Sequence, residues 1–201
     1  VNLSHYKNRL DEIGTDAGIF TGTRISNMNV LMKGHAIGEF HGYQLDGIYK
    51  SEEEVRNYKN DAGGTVLPYG TSDASTLNAA NYVGQFKVKD VNNDGKIDAD
   101  DRTIIGNPHP DLTGGFNISL TWRDFDLSTY MYYSIGNDLY KHYEYYTMFG
   151  NLQSNYSKDR LAKSWDPVNN PNGIYPLWTT TSTEGPEAGN ESNSNYVQDG
   201  S

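Results

Sequence analysis

Thr113-Gly-Gly-Phe-Asn-Ile-Ser-Leu-Thr-Trp122, a break at Arg123-Asp124, and Phe125-Asp-Leu-Ser-Thr-Tyr-Met-Tyr-Tyr-Ser-Ile135 make up the clearest stretch of period-two hydrophobicity in the chain. In the first arm Phe116, Ile118, Leu120 and Trp122 fall on one side, with Thr113, Asn117, Ser119 and Thr121 on the other. After the break the parity changes. Phe125, Leu127, Thr129, Met131, Tyr133 and Ile135 share one face, and Asp126, Ser128, Tyr130, Tyr132 and Ser134 share the opposite one. A two-residue turn pairs Trp122 with Phe125, Leu120 with Leu127, Ile118 with Thr129 and Phe116 with Met131, which puts every apolar residue on a single side. Arg-Asp is weak chemistry for a primed turn, although Asp tolerates the left-handed region, so the turn type stays open.

Each arm runs about ten residues, at the upper end for soluble strands and long enough, when tilted, to cross a bilayer. Two readings follow. Either the hairpin belongs to a soluble β-sandwich with one buried face, or it belongs to an outer-membrane barrel with alternating lipid-facing and lumen-facing side chains. In the second case Trp122 and Phe125 form one interfacial girdle, with Tyr133 near the other.

The composition narrows the field. The 201 residues carry a net charge of −10, a pI near 4.8, a mean hydropathy of −0.74 and 35% apolar residues. An acidic chain repels phosphate backbones, so nucleic-acid binding is excluded as a function. No run of eighteen apolar residues predicts a membrane helix. The Val1 end has neither a basic run nor an apolar core, so a signal peptide is expected to be absent or removed. With no cysteine, disulfide scaffolds, thiolate zinc sites and cysteine catalysis drop out. Sixteen tyrosines and twenty-one glycines favour β structure with many turns. Two short helices are expected, one capped by Ser51 with Glu54 three residues on, the other within 155–165. Val1–Arg9 is expected to be extended. Residues 60–82 and 166–201 read as long loops, dense in Gly, Asn, Ser, Thr and Pro.

The sharpest chemistry lies in Asp90-Val-Asn-Asn-Asp-Gly-Lys-Ile-Asp-Ala-Asp-Asp101. A twelve-residue calcium loop takes oxygens from positions 1, 3, 5, 7, 9 and 12 and has Gly at position 6. Those places are filled by Asp90, Asn92, Asp94, the carbonyl of Lys96, Asp98 and Asp101, with Gly95 sixth. Hard oxygen donors at alternate positions suit calcium, which would brace the loop and not catalyse. Asp101 replaces the Glu of an EF-hand, and the preceding residues 82–89 look like a strand. The resemblance is therefore closer to the dockerin type of loop. The alternative is an acidic Asn-Asp-Gly turn with no ion.

No catalytic constellation stands out. His5, His35, His41, His109 and His142 are scattered without i, i+4 metal spacing, and no nucleophile elbow, phosphate loop or dinucleotide fingerprint is present. The chain is read as a non-enzyme. A glycoside hydrolase fragment remains the catalytic alternative, because paired carboxylates meet only in three dimensions.

The order of motifs resembles the C-terminal part of the SusC/RagA-like TonB-dependent outer-membrane transporters. The carrying segments are Ile37-Gly-Glu-Phe-His-Gly-Tyr-Gln-Leu-Asp-Gly-Ile-Tyr49, Ser51-Glu-Glu-Glu54, Lys87-Val-Lys-Asp-Val-Asn-Asn-Asp-Gly-Lys-Ile-Asp98, Asp101-Arg-Thr-Ile-Ile-Gly-Asn-Pro-His-Pro110, Gly115-Phe-Asn-Ile-Ser-Leu120 and Phe125-Asp-Leu-Ser128. Trp165-Asp-Pro167, Tyr175-Pro176 and a closing Tyr196-Val-Gln-Asp-Gly-Ser201, like the entry to a further strand, complete the series. The match covers most of 37–136 well and the rest loosely.

The resemblance implies an all-β fold: antiparallel strands of a large outer-membrane barrel, plugged and of roughly 22 strands, with long extracellular loops. It also implies import of glycans or peptides with a SusD-like surface lipoprotein as lid. TonB would energise the import through a segment not in this chain, which is then a portion of a longer protein. With the Arg123-Asp124 turn periplasmic, strands at about 1–9, 113–122 and 125–135 leave outer loops at about 10–111 and 137–195, and the apolar stripe meets outer-membrane lipid. Tyr140, Tyr143, Tyr145, Tyr146 and Tyr156 crowd the second loop. The first four are candidate stacking surfaces for substrate, against the alternative that they pack the loop or contact the lid. The competing reading of the whole chain is a secreted, calcium-braced β-module that binds carbohydrate.

Overall fold

The structure is a computed structural model describing residues 1–15, 17–22, 25–149, 155–177 and 192–200. In chain order its strands are β1 (Asn2–Ser4), β2 (Ile19–Thr21), β3 (Asn29–Leu31), β4 (Glu39–Tyr43), β5 (Leu45–Ile48), β6 (Phe86–Val88), β7 (Arg102–Gly106), β8 (Leu112–Trp122), β9 (Phe125–Ile135), β10 (Asp138–Tyr140) and β11 (Val197–Asp199). Two α-helices, α1 (Glu52–Asn57) and α2 (Lys158–Lys163), are joined by short 3-10 turns and a π-helical turn at Tyr145–Phe149. All paired strands are antiparallel. No helix among the described residues is long and apolar enough to cross a membrane, which leaves a strand-built span untouched.

The β8–β9 hairpin has the register that its alternation demands, with Trp122 opposite Phe125, Leu120 opposite Leu127, Ile118 opposite Thr129 and Phe116 opposite Met131. In the turn it is Arg123, not the Asp, that takes the left-handed conformation, at φ 54°. Only the first central residue is left-handed, the φ pattern of a type II′ turn and not of type I′. The guanidinium of Arg123 lies 4.9 Å from the centre of the Trp122 ring, a cation–π contact that offsets part of the strain. Two glycines open the strand where aromatic rings cross it. A Cβ on Gly114 would meet the Tyr133 hydroxyl at 2.5 Å, and one on Gly115 would meet the Met131 carbonyl at 2.8 Å.

β1 pairs with β8, giving a three-stranded sheet of order β1-β8-β9. Val1–Arg9 was expected to be extended throughout, but only Asn2–Ser4 pair. β8 begins at Leu112, which the register would set opposite His5, so residues beyond His5 have no ladder partner. They turn instead onto the segment around Gly34, where the Leu10 N–H donates to the His35 carbonyl and the Gly34 N–H to that of Leu10. The sheet is not closed, and β1 and β9 are its outer strands.

Residues 10–111 carry more structure than the loop reading expects. A four-stranded sheet of order β2-β3-β4-β7 and a two-stranded β5-β6 ribbon enclose a core of Tyr43, Ile48, Val66, Phe86, Val88, Ile97 and Trp165. Strands of three to five residues are too short to show a hydrophobic period, and β4 is buried on both faces, so alternation cannot reveal it. The stretch expected to be a loop at 166–201 lies partly outside the described residues. Its end forms β11, which pairs with β10. The chain returning at Ser192 crosses β4 so closely that a Cβ on Gly42 would sit 2.2 Å from the Ser192 carbonyl oxygen. Both expected helices are present. The Ser51 hydroxyl accepts from the Glu54 N–H at 3.1 Å, and the Glu54 carboxylate reaches back to the Lys50 N–H at 2.8 Å.

Candidate functional site

Three surfaces carry the residues singled out by the sequence. The acidic loop, between β6 and β7, is folded around its own side chains. Asp90, fully buried, accepts from the N–H groups of Asn93 (2.7 Å) and Gly95 (2.9 Å) and from the Asn60 side-chain amide (2.9 Å). Asn92 accepts from the Asp94 N–H, Asp94 from the Lys96 N–H and Asp98 from the Asp100 N–H. Asp101, also fully buried, accepts from the N–H groups of Val91 and Asp98, both at 2.9 Å. The loop is thus drawn shut from both ends by two carboxylates, and Ile97 between them plugs the core.

Burial and partners act differently on that pair. Burial works to raise the Asp90 carboxyl, but the Asn60 amide and the N–H groups of Gly95 and Asn93 outweigh it and hold the group below the usual range. Burial pushes the Asp101 carboxyl up despite its N–H partners, and the charge of Asp90 acts in the same direction. The donors are the hard oxygens that calcium prefers. Among the described residues, however, no group of three or more histidine, cysteine, aspartate or glutamate side chains is gathered as metal ligands.

The tyrosines divide. Tyr140 packs inward. Its ring stacks on Tyr196 at 5.4 Å and leans on Phe40 at 5.3 Å, and its hydroxyl donates to the Ser192 hydroxyl at 3.0 Å. Burial raises its pKa despite that hydrogen bond. Tyr145 and Tyr146 meet edge-to-face at 5.3 Å, His142 stacks parallel to Tyr145 and edge-on to Tyr146, and Tyr143 beside them is the most exposed of the four. The Arg160 side chain ties this region down from beneath by donating to the Met148 and Pro176 carbonyls.

The third surface is the apolar stripe. Trp122 is 61% exposed, Phe125 72% and Leu127 60%, and Ile118, Leu120, Met131 and Ile135 are exposed beside them. No second sheet of this chain covers it among the described residues.

One grouping was not legible in the sequence. His5, His35 and His109, scattered along the chain, line one cavity of about 700 Å3 between the end of β1, the turn before β4 and the segment leading into β8. Only the antiparallel return of the chain brings them together, so spacing carried no signal.

No protein-family model matches the chain. Three receptors of Formosa agariphila are similar to it. TonB-dependent receptor P3 is 29% identical over 175 residues, covering 84% of this chain and 15% of the receptor. TonB-dependent receptor P26 is 31% identical over 182 residues (85% and 15%), and TonB-dependent receptor P39 is 31% identical over 219 (98% and 20%). The chain therefore spans between about a seventh and a fifth of the length of the curated relatives it matches. Among solved structures, the RagAB peptide importer in its closed-closed state superposes with a TM-score of 0.52 at 17% identity, covering 93% of this chain and 17% of that one. A second structure of the RagAB peptide transporter gives 0.53 at 16%, covering 92% and 16%. Sequence and fold together fit a segment of a SusC/RagA-like TonB-dependent receptor.

Proposed function

We propose that the chain is part of an outer-membrane importer of oligomeric nutrients, glycans or peptides, which works with a SusD-like surface lipoprotein and draws energy from TonB through a segment outside this chain. The observation that carries this reading is the exposed apolar stripe from Ile118 to Ile135 on a sheet that ends in two unclosed strands. In water such a face is a liability, and in hydrocarbon it is the required surface. The names of the relatives support the reading, as does the likeness to the RagAB structures.

In this arrangement the Arg123-Asp124 turn faces the periplasm, and the segments before β8 and after β9 lie outside the cell. Tyr143, Tyr145 and Tyr146 are the tyrosines available to meet substrate or lid, while Tyr140 packs on Phe40 and Tyr196. The chain moves solute and performs no covalent chemistry. The acidic loop holds calcium as a brace, an assignment supported by the alternate oxygen donors from Asp90 to Asp101 and located where extracellular calcium reaches a weak site.

Fractionation of cells making the full-length protein tests the importer reading. Recovery from the outer membrane only with detergent is expected, and recovery in a detergent-free supernatant would overturn it in favour of a secreted module. Calorimetric titration with calcium tests the loop separately, since no heat at millimolar calcium removes the ion from the account.

A further inference from the structure

The turn that closes the β8–β9 hairpin departs from what the backbone alone would select. Arg123 occupies its left-handed position at φ 54°, where Gly, Asn or Asp would be held at less cost. Strained residues of this kind cluster where side chains bind something. Arg123 is exposed, and its guanidinium lies 4.9 Å from the centre of the Trp122 ring. The ion pairs among the described residues include neither Arg123 nor Asp124, so an aromatic face and not a carboxylate holds the charge. Trp122 belongs to the apolar side of the hairpin with Leu120 and Ile118. The guanidinium is therefore carried on that side, and not on the side of Ser119 and Thr121.

Depth follows from length. The eleven residues of β9, Phe125 to Ile135, rise about 34 Å end to end at about 3.4 Å per step. Tilted by about 40°, the strand covers about 26 Å along the membrane normal, and the apolar band of an outer-membrane barrel is about 25 Å tall. Trp122 and Phe125, both well exposed, flank the turn with no polar residue between them and it. The stripe thus uses up the whole band, and the turn falls at its edge. A cation at that depth on the lipid side faces the layer of headgroup phosphates, which are of opposite charge. The methylene stem of Arg123 can lie along the apolar surface while its planar fork meets a phosphate with two N–H groups.

We propose that Arg123, with the Trp122–Phe125 pair beside it, is a docking point for the phosphate of a phospholipid headgroup in the leaflet on the side of the turn. The proposal rests on the importer reading, since it needs the stripe in hydrocarbon.

The test uses the full-length receptor in dodecylmaltoside micelles with a trace of phosphatidylglycerol that carries a photoreactive diazirine on its headgroup. Cross-links are mapped by mass spectrometry, with unlabelled competitors added in separate arms. Labelling of residues 122–125 is expected, competed by phosphatidylglycerol but not by equal concentrations of inorganic phosphate or of monogalactosyl diacylglycerol, which has no phosphate. Arg123→Gly should raise the half-competing concentration of phosphatidylglycerol at least tenfold, the effect of losing a charge-assisted hydrogen bond. Its melting temperature without lipid should be unchanged or higher, because Gly adopts the left-handed turn freely. No headgroup label at the turn, competition by inorganic phosphate or by the phosphate-free lipid, or an Arg123→Gly value within about twofold of wild type would overturn the proposal. A second probe, with the diazirine in mid-acyl chain, separates the two readings. Acyl label on Ile118 and Leu127 with a negative headgroup result removes only the docking point, whereas no acyl label on either removes the importer reading beneath it.

Discussion

Replacing Asp90 by Ala removes the group around which the acidic loop closes. Three donors lose their acceptor, namely the N–H groups of Asn93 and Gly95 and the Asn60 amide. A hydrogen bond to a charged acceptor contributes about 1.5–3 kcal/mol, but Asn93 is exposed and water replaces most of its loss. Gly95 and Asn60 sit deeper, so the expected cost is about 2–4 kcal/mol of local stability. At about 1.4 kcal/mol per tenfold, that is a roughly 30- to 700-fold rise in the opening equilibrium. The damage should spread to residues 58–67, because the Leu67 N–H donates to the Gly95 carbonyl and Val66 packs in the core beside Ile97. Hydrogen exchange on the full-length receptor, followed on peptides spanning 58–67 and 90–98, reads this directly. Asp90→Asn should cost about as much, since it keeps the shape but turns one acceptor into a donor facing N–H groups. Repeating the measurement with a chelator separates the carboxylate's own hydrogen bonds from any bound ion. Protection within about threefold of wild type in Asp90→Ala, with the chelator present, would refute the reasoning.

Acidification should act on the loop in two opposing ways. The contribution of Asp90, held below its usual range, is present above the unfolded value of about 3.9 and is lost as pH falls through the lower folded value. Asp101 is raised, so its contribution has the opposite sign: it is present below about pH 3.9 and lost as pH rises through the folded value. Exchange protection of residues 90–98 in Asp101→Ala should therefore fall more steeply with acid than in the wild type. On the hairpin, Ile118→Arg puts a charge mid-stripe at a cost of about 2–4 kcal/mol and should deplete the folded receptor from the outer membrane. Ser119→Arg, one residue on and on the opposite face, should be tolerated, and heat-modifiable mobility on gels compares the two. Gly114→Ala forces a methyl group against the Tyr133 hydroxyl and the Asn2 carbonyl, so its cost, about 1–3 kcal/mol, should shrink but not vanish in a Tyr133→Ala background. Arg160→Lys cannot serve both the Met148 and Pro176 carbonyls and should loosen the tyrosine-bearing segment, seen as faster proteolysis near residues 143–149.

The hairpin was legible because a strand of eleven residues repeats its pattern often enough to fix parity, and parity with a two-residue turn fixes register. The acidic loop was legible for a related reason: the hydrogen bonds within it span two to ten residues, so there type and spacing are one statement, whereas the Asn60 amide that reaches Asp90 from thirty residues away was not legible. Ser51 and Glu54 announced α1 in the same local way. The strands of the outer region were not legible. β4 is buried on both faces and pairs with β3 and with β7 about sixty residues on, and neither contact leaves a mark in the neighbouring sequence. Tyr140 and Tyr143 stand three apart and read alike, yet one packs on Phe40 and Tyr196 while the other faces out. The chain alone determined which segments alternate and where carboxylates recur, since both are properties of near neighbours. Tertiary structure decided which of His5, His35, His41, His109 and His142 share a cavity, because that depends on strands paired across a hundred residues and on the volume left between them.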